Sequence, residues 1–303
     1  MSGLELMFPP FVACMVLVAI HSYLGLHVIA REVIFVDLSL AQMAALGTTI
    51  GLLAGVMPGT GTSLLFALFF TAIGAAVFAA TRTSQRGRVP QEAIIGIVYV
   101  VASAAALLAA DKAPRGADAI KDVLVGTILW VTWPTIAKLA VVYAALGAIL
   151  FALRRRFETI SFDEHAAAAK GWRLRWWDFW FYLIFGGVIT MSVPLGGVLL
   201  VFSFLVVPAV TAFLFTRNPR KLTLISWGTG AIASAIGLWI SYKSDLPTGP
   251  TIVCSYGLVL LGAGAVRRML PERGQSIADR VANVERRETV EASAQPARVR
   301  VDA

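Results

Sequence analysis

Charge is scarce in this chain. Only 15% of its 303 residues are Asp, Glu, Lys or Arg, whereas a soluble domain carries about 25%. The charges that do occur sit in short blocks between long apolar runs, which excludes a soluble globular body. Cysteine is nearly absent: Cys14 and Cys254 both lie inside apolar runs, with no CxxC and no metal-ligand spacing, so they read as small core residues. No GxxxxGK[ST] loop is present, so the chain does not hold nucleotide through a P-loop. HExxH, GxSxG and paired-carboxylate patterns are missing too, and catalysis in this chain is not expected. The net charge of +8 comes without a basic, aromatic-rich soluble module, which argues against nucleic acid as a partner. No Lys or Arg precedes the first apolar run near Phe8. A signal peptide needs a basic start, so this run is read as the first spanning helix.

What the chain has is hydrophobicity. Apolar residues make up 58% of it, and the mean hydropathy is +0.76. A bilayer core takes about 20 apolar residues per helix. Spans are expected near 8–28, 34–56, 62–81, 92–110, 136–153, 178–194, 196–216, 222–241 and 248–266. The expected class is all-α: a polytopic membrane bundle of about eight to nine helices over 1–271. The run 123–131 is too short to span comfortably and fits a re-entrant or irregular segment. Residues 272–303 lose apolar runs and read as a cytoplasmic, disordered tail.

Lys and Arg in short loops set orientation. Arg82, Arg86 and Arg88 follow one span. Arg154, Arg155, Arg156, Lys170, Arg173 and Arg175 follow another. Arg217, Arg220 and Lys221 fill a short turn, and Arg267 and Arg268 close the last span. All are expected on the cytoplasmic side. Residues 111–122 mix both signs and fit the outer side.

Polar groups inside apolar runs are expensive and therefore informative. Asp37 lies early in the second run, with Ser39 and Gln42 close behind. Ser39 and Gln42 share a helix face, whereas Asp37 and Gln42 point about 140° apart. Asp37 reads either as a pathway carboxylate or as a helix-start carboxylate favoured by the dipole. His21 and His27 lie late in the first run, about 120° apart, so one face cannot offer both to a metal; a buried, hydrogen-bonded role is the favoured reading. Pro194 and Gly196–Gly197 break the chain, and Pro208 sits inside the following helix. Such breaks either line transport pathways or simply bend a rod. Gly47, Gly51 and Gly55 recur every four residues, as do Ser226, Gly230 and Ser234, the spacing that lets helices approach closely in lipid.

The loop 157–177 carries Asp163 and Glu164, an alanine run and then Gly171. That is a short helix with acids at its start and a glycine stop. Inside a strongly basic loop it reads as a docking element. Trp176, Trp177 and Trp180 then mark an aromatic belt.

Four segments together resemble the ABC-type zinc, manganese and iron uptake permeases. They are YLGLHVIAREVIFVDLSLAQMAALG at 23–47, DVLVGTIL at 122–129, ISFDEHAAAAKG at 160–171 and GGVLLVFSFLVVPAVTA at 196–212. The resemblance implies a fold similar to the vitamin B12 importer permease and a pathway between two permease copies. It implies a separate cytoplasmic ATP-binding subunit, which hydrolyses the ATP and docks at Phe162, Asp163, Glu164, Ala167 and Gly171. It also implies an extracytoplasmic metal-binding protein, location in a bacterial inner membrane, a divalent metal ion as cargo and no tightly bound cofactor. Family members usually place Asp and His four apart in the second helix. Counting back from Gly47, those slots hold Leu38 and Gln42, with Asp37 displaced by one. A neutral amide is a poor zinc ligand, which leaves Asp37, His27 or His21 as candidate ligands. It also keeps open a metal chelate or other small solute as cargo. A secondary transporter without an ATPase is the remaining alternative; the docking-like loop and the scarcity of embedded carboxylates argue against it.

Overall fold

The computed structural model describes residues 3–82, 89–113 and 126–269. Ten α-helices appear among them, and no strand. They are α1 (Gly3–Ala30), α2 (Val36–Leu53), α3 (Gly61–Ala80), α4 (Gln91–Lys112), α5 (Trp133–Ala152), α6 (Arg154–Phe162), α7 (Glu164–Ala169), α8 (Leu174–Phe215), α9 (Pro219–Ser244) and α10 (Thr248–Met269). Eight of these are long and apolar enough to cross a membrane. Arg86, Arg88, the mixed-charge stretch 114–122, residues 123–125 and the tail 272–303 lie outside the described residues. What remains of the short apolar run is a 3-10 turn, Ile128–Trp130, which is no crossing helix.

The count of nine crossings depends on α8. As a straight rod its 42 residues would span about 63 Å, twice a hydrocarbon core of about 30 Å. It is not straight. Gly197 has φ 74° and ψ 158°, a backbone region essentially reserved for glycine. Contacts with α1 show that the chain reverses there. Asp178 meets Arg31 and Ser192 meets His21, so the arm 174–196 runs antiparallel to α1. Beyond the break, the Phe204 carbonyl accepts from Ser22, and Ala209 and Ala212 cluster with Leu26. The arm 198–215 therefore runs parallel to α1, and the two arms are separate crossings.

The other helices alternate in the same way. Gly47 of α2 backs onto Phe66 and Ala67 of α3, while Met43 lies against Gly74. Ser226 donates to the Pro208 carbonyl, and Trp227 donates to Ala19 O. Ser255 of α10 donates to Ala233 O. One consequence is that Arg31, Arg82, Arg154–Arg156, Lys170, Arg173, Arg217 and Arg220 gather at one end of the bundle. Packing divides the chain at Gly264; of the unit 265–303, only residues to Met269 are described.

Helix ends carry their own signals. In α2 the Gly55 N–H reaches Leu52 O at 3.0 Å and the Val56 N–H reaches Gly51 O at 2.9 Å, the paired bonds of a glycine-terminated helix. Gly55 has φ 83° and nothing nearby that a side chain would meet. The expected span to 56 thus stops at Leu53, and Gly55 leaves the packing face assigned to it: it ends the helix rather than joining it to a neighbour. At the start of α9, Asn218 accepts from the Arg220 and Lys221 N–H groups and Pro219 follows at the first position, both ordinary start signals.

Candidate functional site

The end of the bundle that gathers the basic connections also carries two short helices, α6 and α7, joined at Asp163. The Asp163 carboxylate accepts the Ala166 N–H at 2.9 Å and so caps α7. Gly171, with φ 70°, ends it; Gly171 N–H bonds Ala168 O and Trp172 N–H bonds Ala167 O. Ala167 is fully buried and ties α7 down, whereas Phe162, Asp163 and His165 are exposed. The result is a small anchored platform with an exposed aromatic and an acid at one end.

Beneath that platform lies a buried ion network. Asp178, at the start of α8, is 1% exposed, and Arg31, just past α1, is 7% exposed. One Asp178 oxygen takes the Arg31 guanidinium at 2.7 Å, and the other takes Arg82, just past α3. Arg82 reaches outward with its second amino group to Glu164 of α7 at 3.2 Å. Arg31 also donates through Nε to Ser161 Oγ at 2.7 Å, and that hydroxyl bonds His27 Nδ1 at 2.9 Å. The Arg31 guanidinium lies over the Phe181 ring, 4.0 Å from its centroid. Burial pushes its pKa down to about 10, so it stays charged at neutral pH. Two cations and two carboxylates close this cluster, the balance that buried charge requires.

Asp37 sits in the first turn of α2, fully buried, at the same end of the bundle. Its Oδ1 has no hydrogen-bond partner among the described residues. Glu92, in the first turn of α4, is its electrostatic neighbour. Glu92 Oε1 accepts the Phe35 N–H at 2.9 Å, while its Oε2 is buried and unpartnered among the described residues. Ser39 Oγ is likewise buried without a partner among them, and Gln42 is half-buried. Uncompensated polar atoms are costly in an apolar bundle, which makes this corner chemically distinct from the rest of the interior.

The two histidines are engaged in hydrogen bonds. His21 donates from Nδ1 to Leu17 O at 2.8 Å, so Nε2 is left to accept from Ser192 at 3.0 Å. Ser192 in turn bonds Tyr143. His27 is held by Ser161 and ringed by Tyr23, Phe162 and Phe181. No group of three or more His, Cys, Asp or Glu arranged to hold a metal occurs among the described residues. Pro208 lacks the N–H that would bond the Phe204 carbonyl four residues back, and Ser22 of α1 supplies a donor to that carbonyl instead, at 3.4 Å. Gly47 is where α2 and α3 approach; a Cβ there would lie 2.5 Å from Phe66 O. Gly51 faces the Phe66 ring, and Gly230 faces Val18. Ser234 bonds the Tyr256 hydroxyl at 2.9 Å.

A family model described as the ABC 3 transport family matches residues 3–267. The chain belongs to that family. Its sequence is 29% identical over 208 residues to a manganese transport system membrane protein, MntC, of Listeria innocua, covering 65% of this chain and 72% of the relative. It is 28% identical over 195 residues to the chelated iron transport system membrane protein YfeC of Yersinia pestis, covering 64% and 66%. The fold superimposes on a chain of PsaBC from Streptococcus pneumoniae, solved in complex with a Fab, with a TM-score of 0.72, 21% identity and coverage of 86% and 93%. The resemblance to ABC metal-ion uptake permeases is thus borne out, together with the all-α, multi-pass membrane architecture.

Asp178, Arg31 and Glu92 were not singled out by sequence reasoning. Asp178 stands in RWWDFW, where the tryptophans read as an interfacial belt and an acid beside them reads as solvated. A carboxylate within the first turns of an apolar run was the available signal.

Proposed function

We propose that this chain is the membrane-spanning permease subunit of an ATP-binding-cassette importer that moves a divalent metal ion, manganese, iron or zinc, across a bacterial inner membrane. The match of the transport-family model over residues 3–267 carries the reading, and the relatives named for manganese and iron transport narrow the cargo. ATP hydrolysis belongs to a separate cytoplasmic ATP-binding subunit. An extracytoplasmic binding protein delivers the ion, and a second permease copy completes the pathway. The end of the bundle rich in Lys and Arg is assigned to the cytoplasm on the charge bias of short loops, and the carboxy terminus is assigned there with it.

In this reading the ATP-binding subunit docks on Phe162, Asp163, Glu164 and Gly171; Ala167, expected in that surface, is fully buried and anchors α7 from beneath instead. Asp37, with its unpaired oxygen, is the group that meets the ion, and Ser39 and Gln42 lie near it on α2. His21, His27 and Pro208 support the frame, because each is tied up with α5, α6 or α8 groups or serves a helix bend. The test is uptake by the reconstituted complex for Mn2+, Fe2+ and Zn2+ in turn, with and without ATP. ATP-dependent uptake of at least one ion is expected, abolished by Asp163→Lys with Glu164→Lys and lowered by Asp37→Ala. Uptake without ATP would overturn the assignment in favour of a gradient-driven carrier.

A second reading, a metal chelate as cargo, draws support from Leu38 and Gln42 in the usual ligand slots and from the relative named for chelated iron. Uptake of a chelate in preference to the free ion would decide for it.

A further inference from the structure

We infer that Arg82 and Asp178 form a mechanical link that carries movement of α7 into the transmembrane bundle, with the arm 174–196 of α8 as its lever. The inference rests on the docking role proposed for α7. It concerns what happens after docking.

The geometry has an inner and an outer part. The inner part is Asp178 between two guanidiniums, at 1% exposure for the carboxylate, 7% for Arg31 and 14% for Arg82. Removing one partner of such a buried pair leaves an uncompensated charge, so the three groups hold together. They join the ends of α1 and α3 to the start of α8. The outer part is the Arg82–Glu164 contact at 3.2 Å, where Glu164 is 34% exposed. It is the more solvated and hence more yielding bond. Arg82 belongs to both parts, since its two amino groups are divided between Asp178 and Glu164.

A displacement of α7 therefore acts on Arg82 through Glu164, and through Arg82 on Asp178. A second route runs from Ser161, at the end of α6, to Arg31 and His27. It lets α6 and α7 pull on the same carboxylate from two sides. A cavity of about 500 Å³ bordered by Arg31, Arg82, Ser161, Glu164 and Tyr182 leaves these groups room to shift. The far end of the arm is the reversal at Gly197, whose backbone region admits no other residue without strain. A rod pulled at Asp178 and bent at Gly197 is a hinge-type element. Positioning, rather than contact with the ion, is the role assigned to Arg82 and Asp178.

The test uses the whole complex, purified from its own cells through a tag on this chain and reconstituted in vesicles. Mn2+, Fe2+ and Zn2+ serve as probes. Three quantities are read: ATP-binding subunit retained, ATP hydrolysed, and ions imported per ATP. Glu164→Gln cuts only the outer bond and leaves the buried cluster intact, so folding is not at issue. Arg82→Gln cuts both parts, and Arg82→Lys keeps the charge. Retention and hydrolysis are expected to stay within about twofold of the unaltered complex in Arg82→Gln, whose residue is outside the docking set, while ions per ATP fall roughly tenfold, the size of ordinary coupling between sites; Glu164→Gln is read only through ions per ATP. Glu164→Gln should fall less, and Arg82→Lys should recover part of the ratio.

Unchanged ions per ATP in both Gln variants would overturn the link and leave the docking role standing. So would a fall in uptake that merely follows the amount of ATP-binding subunit retained. Undiminished retention in Asp163→Lys with Glu164→Lys is a separate outcome: it removes the docking role, and the link with it.

Discussion

The two ends of the arm 174–196 are secured by opposite chemistry. At Asp178 the arm is held by charge, through side chains from Arg31 and Arg82 that lie 147 and 96 residues away in sequence. At Gly197 it is held by the absence of side chains: the Thr127 N–H bonds Leu195 O at 2.8 Å, and Gly126 lies so close that a Cβ there would sit 2.3 Å from Gly196 C and Gly197 N. In a bilayer each solution has a place. Long cationic side chains can work at the membrane edge, where water and headgroups lie near. At the opposite end of the crossing, a non-helical turn packed inside the bundle still needs its backbone groups satisfied by neighbouring backbone, and small residues allow that. A charged anchor can also be rearranged by a partner at the surface, whereas a glycine turn packed against backbone can only bend.

This contrast can be broken from the charged end first, where the effect should be largest. Asp178→Ala leaves two buried guanidiniums without their shared counter-charge, and a loss of about 3–5 kcal/mol is expected, read as a fall in the unfolding midpoint of the detergent-solubilised protein. A loss near that of an ordinary surface substitution would show that water already screens the cluster. At the other end, Gly197→Ala forces a side chain into a backbone region that tolerates only glycine, and about 1–3 kcal/mol is expected. Gly55→Ala sharpens the comparison: it also has positive φ but open space around it, so only the left-handed penalty of about 1–2 kcal/mol applies. If Gly197→Ala cost no more than Gly55→Ala, the backbone region at Gly197 would be no more restrictive than the left-handed one at Gly55.

What could be read in the sequence follows the range of the interaction responsible. Apolar runs are local, so the crossings were legible, as was the break at Pro194–Gly197. The short helix α7 was legible because its cap, Asp163, and its stop, Gly171, lie within nine positions of each other. Gly55 was misassigned because a glycine four residues past Gly51 looks the same whether it packs or terminates; only its φ separates the two. The cluster at Asp178 was not legible at all. Its partners arrive from the ends of two other helices, and nothing in RWWDFW announces them. The corner at Asp37 was half legible: the carboxylate stood out, but the second carboxylate beside it, Glu92, comes from α4 and reads locally as an ordinary acid in a first turn.

The smallest effect is expected at Pro208, inside the second arm of α8. Pro208 deprives the Phe204 carbonyl of its helical donor, and Ser22 replaces that donor across the α1–α8 contact at 3.4 Å. Hydrogen bonds between helices in lipid average about 0.6 kcal/mol and reach roughly 1.7, so Ser22→Ala should destabilise the protein only by that much. The informative measurement is a double-mutant cycle with Pro208→Ala, which returns an N–H to the Phe204 carbonyl. If Ser22 serves that carbonyl, its removal should matter less in the Pro208→Ala background, and the two changes will not add. Strict additivity would mean that the hydroxyl merely lies near the Phe204 carbonyl, and that the carbonyl freed by Pro208 is satisfied by α8 itself through local adjustment of the helix.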